Sequence, residues 1–217
     1  SRTTLALLPG SRFPEAQPNL VLMLRVCERL WKLAPDRAWR FVAAGVEGIH
    51  QEPLSSLLRT EGWERRDGGL TSRAGVDVQL LLNAFGAVVS VSDLVIGMAG
   101  TAVEQAVGMG LPVVQIIGRG PQFSYAFAES QMRLLGPAVH TVGTGPAGPR
   151  ELGQAAELIL RLLADPDLKA RCAKVGRERV GPPGGSRRIA GTVLDCLEST
   201  ANHGRGVRGR GVRPARP

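Results

Sequence analysis

With 217 residues, 43% hydrophobic but only 4% aromatic, the chain is long enough for one large domain, whose core must be built from Leu, Val, Ile and Ala. The formal net charge is +8, and Thr200–Pro217 alone carries five arginines and no acid, so much of the basicity belongs to the end of the chain. Three cysteines without CxxC spacing argue against a disulfide framework or a zinc site, and no apolar run reaches the length of a membrane span.

Thr4–Leu8 reads as a short buried strand and Pro9–Arg12 as a turn. Leu20, Leu24, Val26, Cys27, Leu30 and Trp31 recur at helical spacing, which predicts a helix over Glu15–Leu33 with those residues on its buried face. Trp39–Ala44 is a second strand and Glu52–Thr60 a short helix. Gly68–Gly75 is polar and loop-like, with the composition of a hairpin. Val76–Leu82 is a third strand, Phe85–Val91 a helix, Leu94–Ile96 a fourth strand and Val113–Ile117 a fifth. A helix over Phe123–Leu135 leads to a sixth strand, Ala138–Val142. Pro149–Leu163, Pro166–Val180 and Ser186–Leu197 are helices. This alternation predicts an α/β domain over residues 1–199: a Rossmann-like, doubly wound parallel sheet of about six strands, with helices at its C-terminal end. The closing GRGVRGRGVRPARP is low in complexity and buries no apolar area, so residues 200–217 are expected to form a disordered Arg/Gly-rich tail.

The run GMAGTAVEQAVGMGLPVVQ, Gly97–Gln115, carries the most functional information. It reads as a strand end, a glycine turn at Gly100-Thr101, a helix, and a glycine exit into a second buried strand. A helix that starts this way leaves backbone N–H groups unpaired and facing a crevice, where they attract phosphate. Its plainer reading is an ordinary helix start capped by Thr101. LLPGSRFPEA, Leu7–Ala16, is a second strand–turn–helix join. There Gly10 allows close backbone approach, Ser11 can donate to a phosphate oxygen, and Arg12 offers a planar fork to one. Read alone, it is equally a turn with a capping serine and a solvated arginine. Two such turns in one doubly wound sheet can face each other across one crevice. Glu104 and Gln105 lie in the first turn or so of the helix, and either can bond a ribose; alternatively Glu104 compensates the helix dipole and Gln105 is solvated. In GRGPQFSYAF, Gly118–Phe127, Arg119 and Gln122 can reach a ligand, and Phe123 or Tyr125 can pack on a base or an acyl chain; the segment is also consistent with a plain loop bearing core aromatics. His50, His140 and His203 are scattered, and His140 reads as a packed strand residue. There is no HExxH motif, clustered carboxylate set, nucleophile elbow or P-loop lysine, so no metal, cofactor or self-contained catalytic group is expected.

Together these segments resemble a known family. LLPGSRFPEA resembles the PGSR-x-x-E segment of lipid-A-disaccharide synthases, and MAGTAVEQAVGMGLPVV their second nucleotide-binding motif. DLVIGMAGTAVEQAVGMGLPVVQIIGRGPQFSYAFAESQMRLLG is similar to lipid-A-disaccharide-synthase-related proteins, and GPPGGSRRIA to the start of their C-terminal helix. The resemblance spans Thr4–Leu197. It implies a GT-B glycosyltransferase architecture of two Rossmann-like domains, with this chain as the C-terminal, donor-binding half. The abrupt start on a core strand fits that expectation. The implied ligand is a UDP-sugar of the diacylglucosamine type, transferred to a lipid acceptor at the inner face of a membrane by a cytoplasmic, peripheral protein. The implied partner is an N-terminal Rossmann-like domain that supplies the general base. By the same resemblance Gly10, Ser11 and Arg12 face the diphosphate, and Gly100 and Thr101 open the helix aimed at it. The family's ribose-binding glutamate stands seven positions before a proline; counted back from Pro112, that position holds Gln105, one residue after Glu104. Alternative expectations are an epimerase of the UDP-N-acetylglucosamine 2-epimerase type, a degenerate GT-B domain kept for protein contacts, and RNA binding through the arginine tail. The body of the chain lacks a basic aromatic surface pattern, so nucleic acid is not the expected partner.

Overall fold

The structure is a computed structural model that describes residues 2–49, 52–98, 100–118, 120 and 123–206, the last six as backbone only. The elements follow in chain order: β1 (Thr3–Leu8), α1 (Ala16–Leu33), β2 (Trp39–Gly45), α2 (Glu52–Thr60), β3 (Trp63–Arg66), β4 (Gly69–Ser72), β5 (Asp77–Leu82), α3 (Phe85–Ser90), β6 (Leu94–Gly97), α4 (Thr101–Gly108), β7 (Val113–Ile116), α5 (Tyr125–Leu135), β8 (Val139–Val142), α6 (Pro149–Leu163), α7 (Leu168–Val175) and α8 (Gly185–Gly206). A 3-10 turn at Gly136–Ala138 precedes β8, and a π-helical turn at Gly176–Val180 follows α7.

One sheet holds all eight strands in the order β3-β4-β5-β2-β1-β6-β7-β8. The six strands from β5 to β8 are parallel. Numbered among themselves, they run 3-2-1-4-5-6, the doubly wound arrangement. Of the two further strands only β4 falls within Gly68–Gly75, where the sequence suggested a hairpin; it pairs antiparallel with β3, which lies before that stretch, and with β5, which follows it. The hairpin's strands are hard to see in the sequence because Glu64, Arg65 and Arg66 leave β3 only Trp63 as an inward-facing residue.

Central strands read as largely apolar runs because both faces are covered, with Thr4 in β1 and Gln115 in β7 as buried polar residues. β6 and β7 are buried throughout, and β1 is buried from Thr4 onward. The chain winds in one direction from β1 to β5 and in the other from β6 to β8, so the connecting helices fall on opposite faces. α1 packs with α2 and α6, and α4 with α5 and α7. The buried arc of α1 runs through Leu20, Met23, Leu24, Cys27 and Leu30, and Trp31, expected in that arc, is instead 37% exposed at its margin.

The described residues up to Gly181 form one compact unit, and those from Pro182 onward a second. The second contains α8, whose Ile189, Val193, Leu194 and Leu197 are exposed. Its backbone stays helical past Thr200, the expected start of the tail, to Gly206; the remaining tail, 207–217, lies outside the described residues.

Candidate functional site

β1 and β6 are neighbours in the sheet, and the chain leaves them in opposite directions. The turns at their C-terminal ends therefore part and leave a crevice between them. A cavity of about 510 Å³ lies there, lined on one side by Gly10, Ser11 and Arg12 and on the other by Gly100, Thr101 and Ala102. The ends of β2 and β5 contribute Gly45, Val46 and Asn83, and Phe85 and Phe123 supply aromatic wall.

On the β1 side, Gly10 has φ +94° and lies close against the Phe123 ring; a Cβ there would approach the ring at 3.4 Å. Ser11 and Arg12 are exposed, and neither caps a helix. α1 starts at Ala16, after Glu15, so the Ser11 hydroxyl and Arg12 guanidinium are available to a ligand. On the β6 side the helix cap is Gly100, not Thr101, and no side chain caps the start of α4. Gly100 has φ +65° and ψ −153°, a region open essentially to glycine alone. It brings the first N–H groups of α4 to the crevice, where the helix dipole adds partial positive charge.

The remaining expected site residues separate into two groups. Glu104 is half-buried and Gln105 exposed, and neither lines the cavity. Successive helix residues point about 100° apart. Gln105 thus lies one turn after Thr101 and Ala102 on the face they present to the cavity, whereas Glu104 is turned well aside. Arg119 and Gln122 lie outside the described residues, as does His50. Phe123 is 4% exposed and walls the cavity, while Tyr125 lines a separate hollow of about 530 Å³ beside Gly118 and Thr144.

Sequence reasoning did not reveal the buried amides beneath the site. Gln17 Nε2 donates to the Ile49 carbonyl at 3.2 Å and Asn19 Nδ2 to that of Pro9 at 3.4 Å. Gln131 Nε2 donates to the Gly100 carbonyl at 3.0 Å. Each donor fastens a different loop at the C-terminal edge of the sheet from below. Asn19 Oδ1 sits so close to Gly118 that a Cβ there would lie 2.4 Å away. A buried polar group without a partner costs about 1–3 kcal/mol, so each of these donors fixes the carbonyl it serves, although the Asn19 Oδ1 oxygen itself has no hydrogen-bond partner among the described residues. Asn83, at φ +52°, donates from Nδ2 to Glu47 at 3.4 Å on the cavity's far wall. No group of three or more His, Cys, Asp or Glu able to hold a metal occurs among the described residues. His140 is half-buried in β8 away from the cavity. Burial, reinforced by the positive charge of Arg171, holds it below the ordinary histidine value.

Comparison with known proteins agrees with the fold. Over 208 residues, 91% of its length, the chain is 27% identical to the lipid-A-disaccharide synthase of Anaeromyxobacter dehalogenans (strain 2CP-1). It is 29% identical to that of Geobacter sulfurreducens over 90% of its length. The chain resembles lipid-A-disaccharide synthases. It spans about half the length of these curated relatives, 50% in each case. No protein-family model matches it. Among solved structures, the glycotransferase of kitacinnamycin superposes with a TM-score of 0.57 at 19% identity, covering 89% of this chain and 42% of that one. Spinosyn rhamnosyltransferase, complexed with thymidine diphosphate, gives 0.57 at 15% identity, over 88% and 45%. The UDP-GlcNAc 2-epimerase of Neisseria meningitidis, bound to UDP-GlcNAc, gives 0.51 at 17% identity, over 90% and 44%. The fold is thus the one found in GT-B glycosyltransferases.

Proposed function

We propose that this chain is the donor-binding half of a glycosyltransferase similar to lipid-A-disaccharide synthase, and that its crevice holds the diphosphate of a UDP-sugar. The observation that carries this reading is the meeting of two glycine turns, Gly10–Arg12 and Gly100-Thr101, across one cavity at the point where the sheet reverses direction. The names of the curated relatives support the reaction class and the lipid acceptor, and the nucleotides bound in solved structures of like fold support the diphosphate.

In the reaction, an acceptor hydroxyl oxygen forms a bond to the anomeric carbon of the donor sugar. The bond from that carbon to the diphosphate oxygen breaks, and UDP leaves with the electron pair. Negative charge grows on the leaving diphosphate, where the α4 N–H groups, the Ser11 hydroxyl and the Arg12 guanidinium meet it. Because these groups are already in place, they stabilise the developing charge without reorganising. Gln105 lies on the α4 face toward the cavity and bonds a ribose hydroxyl. The acceptor's proton goes to a base from the partner domain. A 2-epimerase of the same fold would make the same demand on this half, since it too binds a UDP-sugar.

Calorimetric titration of the 217-residue chain with UDP tests the reading. Saturable binding is expected, weakened at least tenfold by Arg12→Ala, since a charge-assisted bond contributes about 1.5–3 kcal/mol. Absence of binding at millimolar UDP would refute the assignment of the crevice.

A further inference from the structure

We infer that Gln131, acting through Gln115 and Thr141, is a positioning residue that sets the orientation of the Gly100–Thr101 peptide at the crevice. The inference rests on the reading of that crevice as a diphosphate site. Three hydrogen bonds run in series under the turn. The Thr141 hydroxyl donates to Gln115 Oε1 at 3.0 Å, Gln115 Nε2 donates to Gln131 Oε1 at 2.6 Å, and Gln131 Nε2 donates to the Gly100 carbonyl at 3.0 Å. Gln115 is fully buried and Gln131 is 3% exposed. The relay joins β8, β7 and α5 to the first residue before α4.

Its direction is fixed chemically. A carbonyl only accepts, so Gln131 must turn its NH₂ to Gly100 and its oxygen to Gln115. Gln115 must then offer its own NH₂ to that oxygen, and its carbonyl is left for the Thr141 hydroxyl. Gln131 cannot flip without losing its bonds to both Gly100 and Gln115, and Gln115 cannot flip without losing its bond to Gln131, inside the core where each orphaned group is costly.

The consequence falls on the peptide that faces the ligand. The Gly100 carbonyl also accepts from Val103 N–H at 3.0 Å and, more weakly, from Glu104 N–H at 3.4 Å. Those bonds belong to the helix itself; Gln131 adds an anchor from outside it. The Gly100–Thr101 bond is trans, and in a planar trans peptide the C=O and N–H point in opposite directions. Holding the carbonyl down toward buried Gln131 therefore aims the Thr101 N–H away from the core, toward the cavity that Gly100 and Thr101 line. Gly100 itself supplies no stiffness, because glycine is the residue most free to rotate. The relay provides what the glycine lacks. An unanchored turn would have to be ordered by the ligand on binding, at a cost in affinity.

The test compares the 217-residue chain with Gln131→Met, which keeps the side chain's length but has no amide, and with Thr141→Val, at the half-buried end of the relay. Binding of UDP and of uridine is measured by ligand-observed NMR, and the Val103 and Leu5 amide exchange rates without ligand. Gln131→Met should weaken UDP binding about fivefold or more, leave uridine binding unchanged, and speed exchange at Val103 but not at Leu5 in β1. Thr141→Val should do the same to a smaller degree, and it carries the test if Gln131→Met does not fold. Unchanged UDP affinity and Val103 exchange in a folded variant overturn the inference, as does an equal loss for UDP and uridine, which would mark a structural role only. Failure of the unsubstituted chain to bind UDP removes the nucleotide reading instead, and the Val103 exchange rates then still decide whether the relay orders the turn.

Discussion

Gln105 and Glu104 are adjacent in sequence but occupy different faces of α4, and the proposed ribose contact is assigned between them on that geometry. With Gln105 on the face of Thr101 and Ala102, Gln105→Ala should weaken UDP binding several-fold and leave the melting temperature nearly unchanged, since the side chain is exposed. Glu104→Ala should leave UDP affinity intact. The reverse outcome in parallel titrations would place the ribose on the other face. His140 makes a prediction about pH. Its folded-state value lies below the unfolded value of about 6.5. Below that pH the unfolded chain takes up a proton more readily than the native one does, so this contribution to stability is complete above about 6.5 and declines as pH falls through it. The loss of stability between pH 7.5 and 5.5, followed by urea unfolding, should be smaller in His140→Asn than in the parent chain. Equal losses would contradict the assignment. The residues read from the sequence were those whose role is local, such as Gly10, Gly100 and Thr101 at strand ends. Gln115 and Gln131 were not readable, because a lone glutamine in a strand or helix carries no mark of a partner 16 positions away.

At the scale of elements, the parallel strands declare themselves because burial on both faces makes them largely apolar runs, as in Leu94–Gly97 and in Val113–Ile116, where only Gln115 is polar. The β3–β4 hairpin was the least legible element, since the outward residues of β3 are charged, those of β4 are Gly69 and Thr71, and only Trp63, Leu70 and Ser72 turn inward. Trp31 shows the limit of spacing alone: period 3.6 finds the apolar side of a helix but does not mark where its buried arc ends. The junction of α4 with the turn after α7 is another feature the sequence does not display. Gly176 approaches α4 so closely that a Cβ would lie 2.4 Å from the Val107 carbonyl oxygen, with the Gly108 carbonyl oxygen at 3.2 Å. Backbone cannot yield there as a side-chain tip can. Gly176→Ala should therefore cost about 1–3 kcal/mol of stability, whereas Gly153→Ala in α6, where a Cβ meets nothing within 4 Å, should be neutral or slightly stabilising. Chemical denaturation of the two variants checks this contrast, and a neutral Gly176→Ala would mean that the two elements are not packed as described.

At the scale of the whole molecule, the alternation of strands and helices was enough to predict a doubly wound sheet. That topology alone locates the crevice, because the order 3-2-1-4-5-6 has its reversal between β1 and β6. The chemistry cannot be located in the same way. The proposed diphosphate site offers donors, but among the described residues that line the cavity there is no carboxylate or histidine to take a proton from an acceptor hydroxyl. General-base assistance is worth about 10²–10⁴-fold in rate. The 217-residue chain, which spans about half the length of its curated relatives, is therefore expected to bind UDP without transferring sugar. Sustained UDP release from a UDP-diacylglucosamine donor and a lipid acceptor by this chain alone would show that a catalytic group lies within it. The central claim is narrower: UDP binds where the β1 and β6 turns meet. Backbone amide chemical shifts recorded during a UDP titration test it most directly. The account predicts perturbations concentrated at Gly10, Ser11, Arg12, Gly100 and Thr101, with the Gly69–Ser72 strand unaffected; perturbations elsewhere in the sheet, or none at saturating UDP, would contradict it.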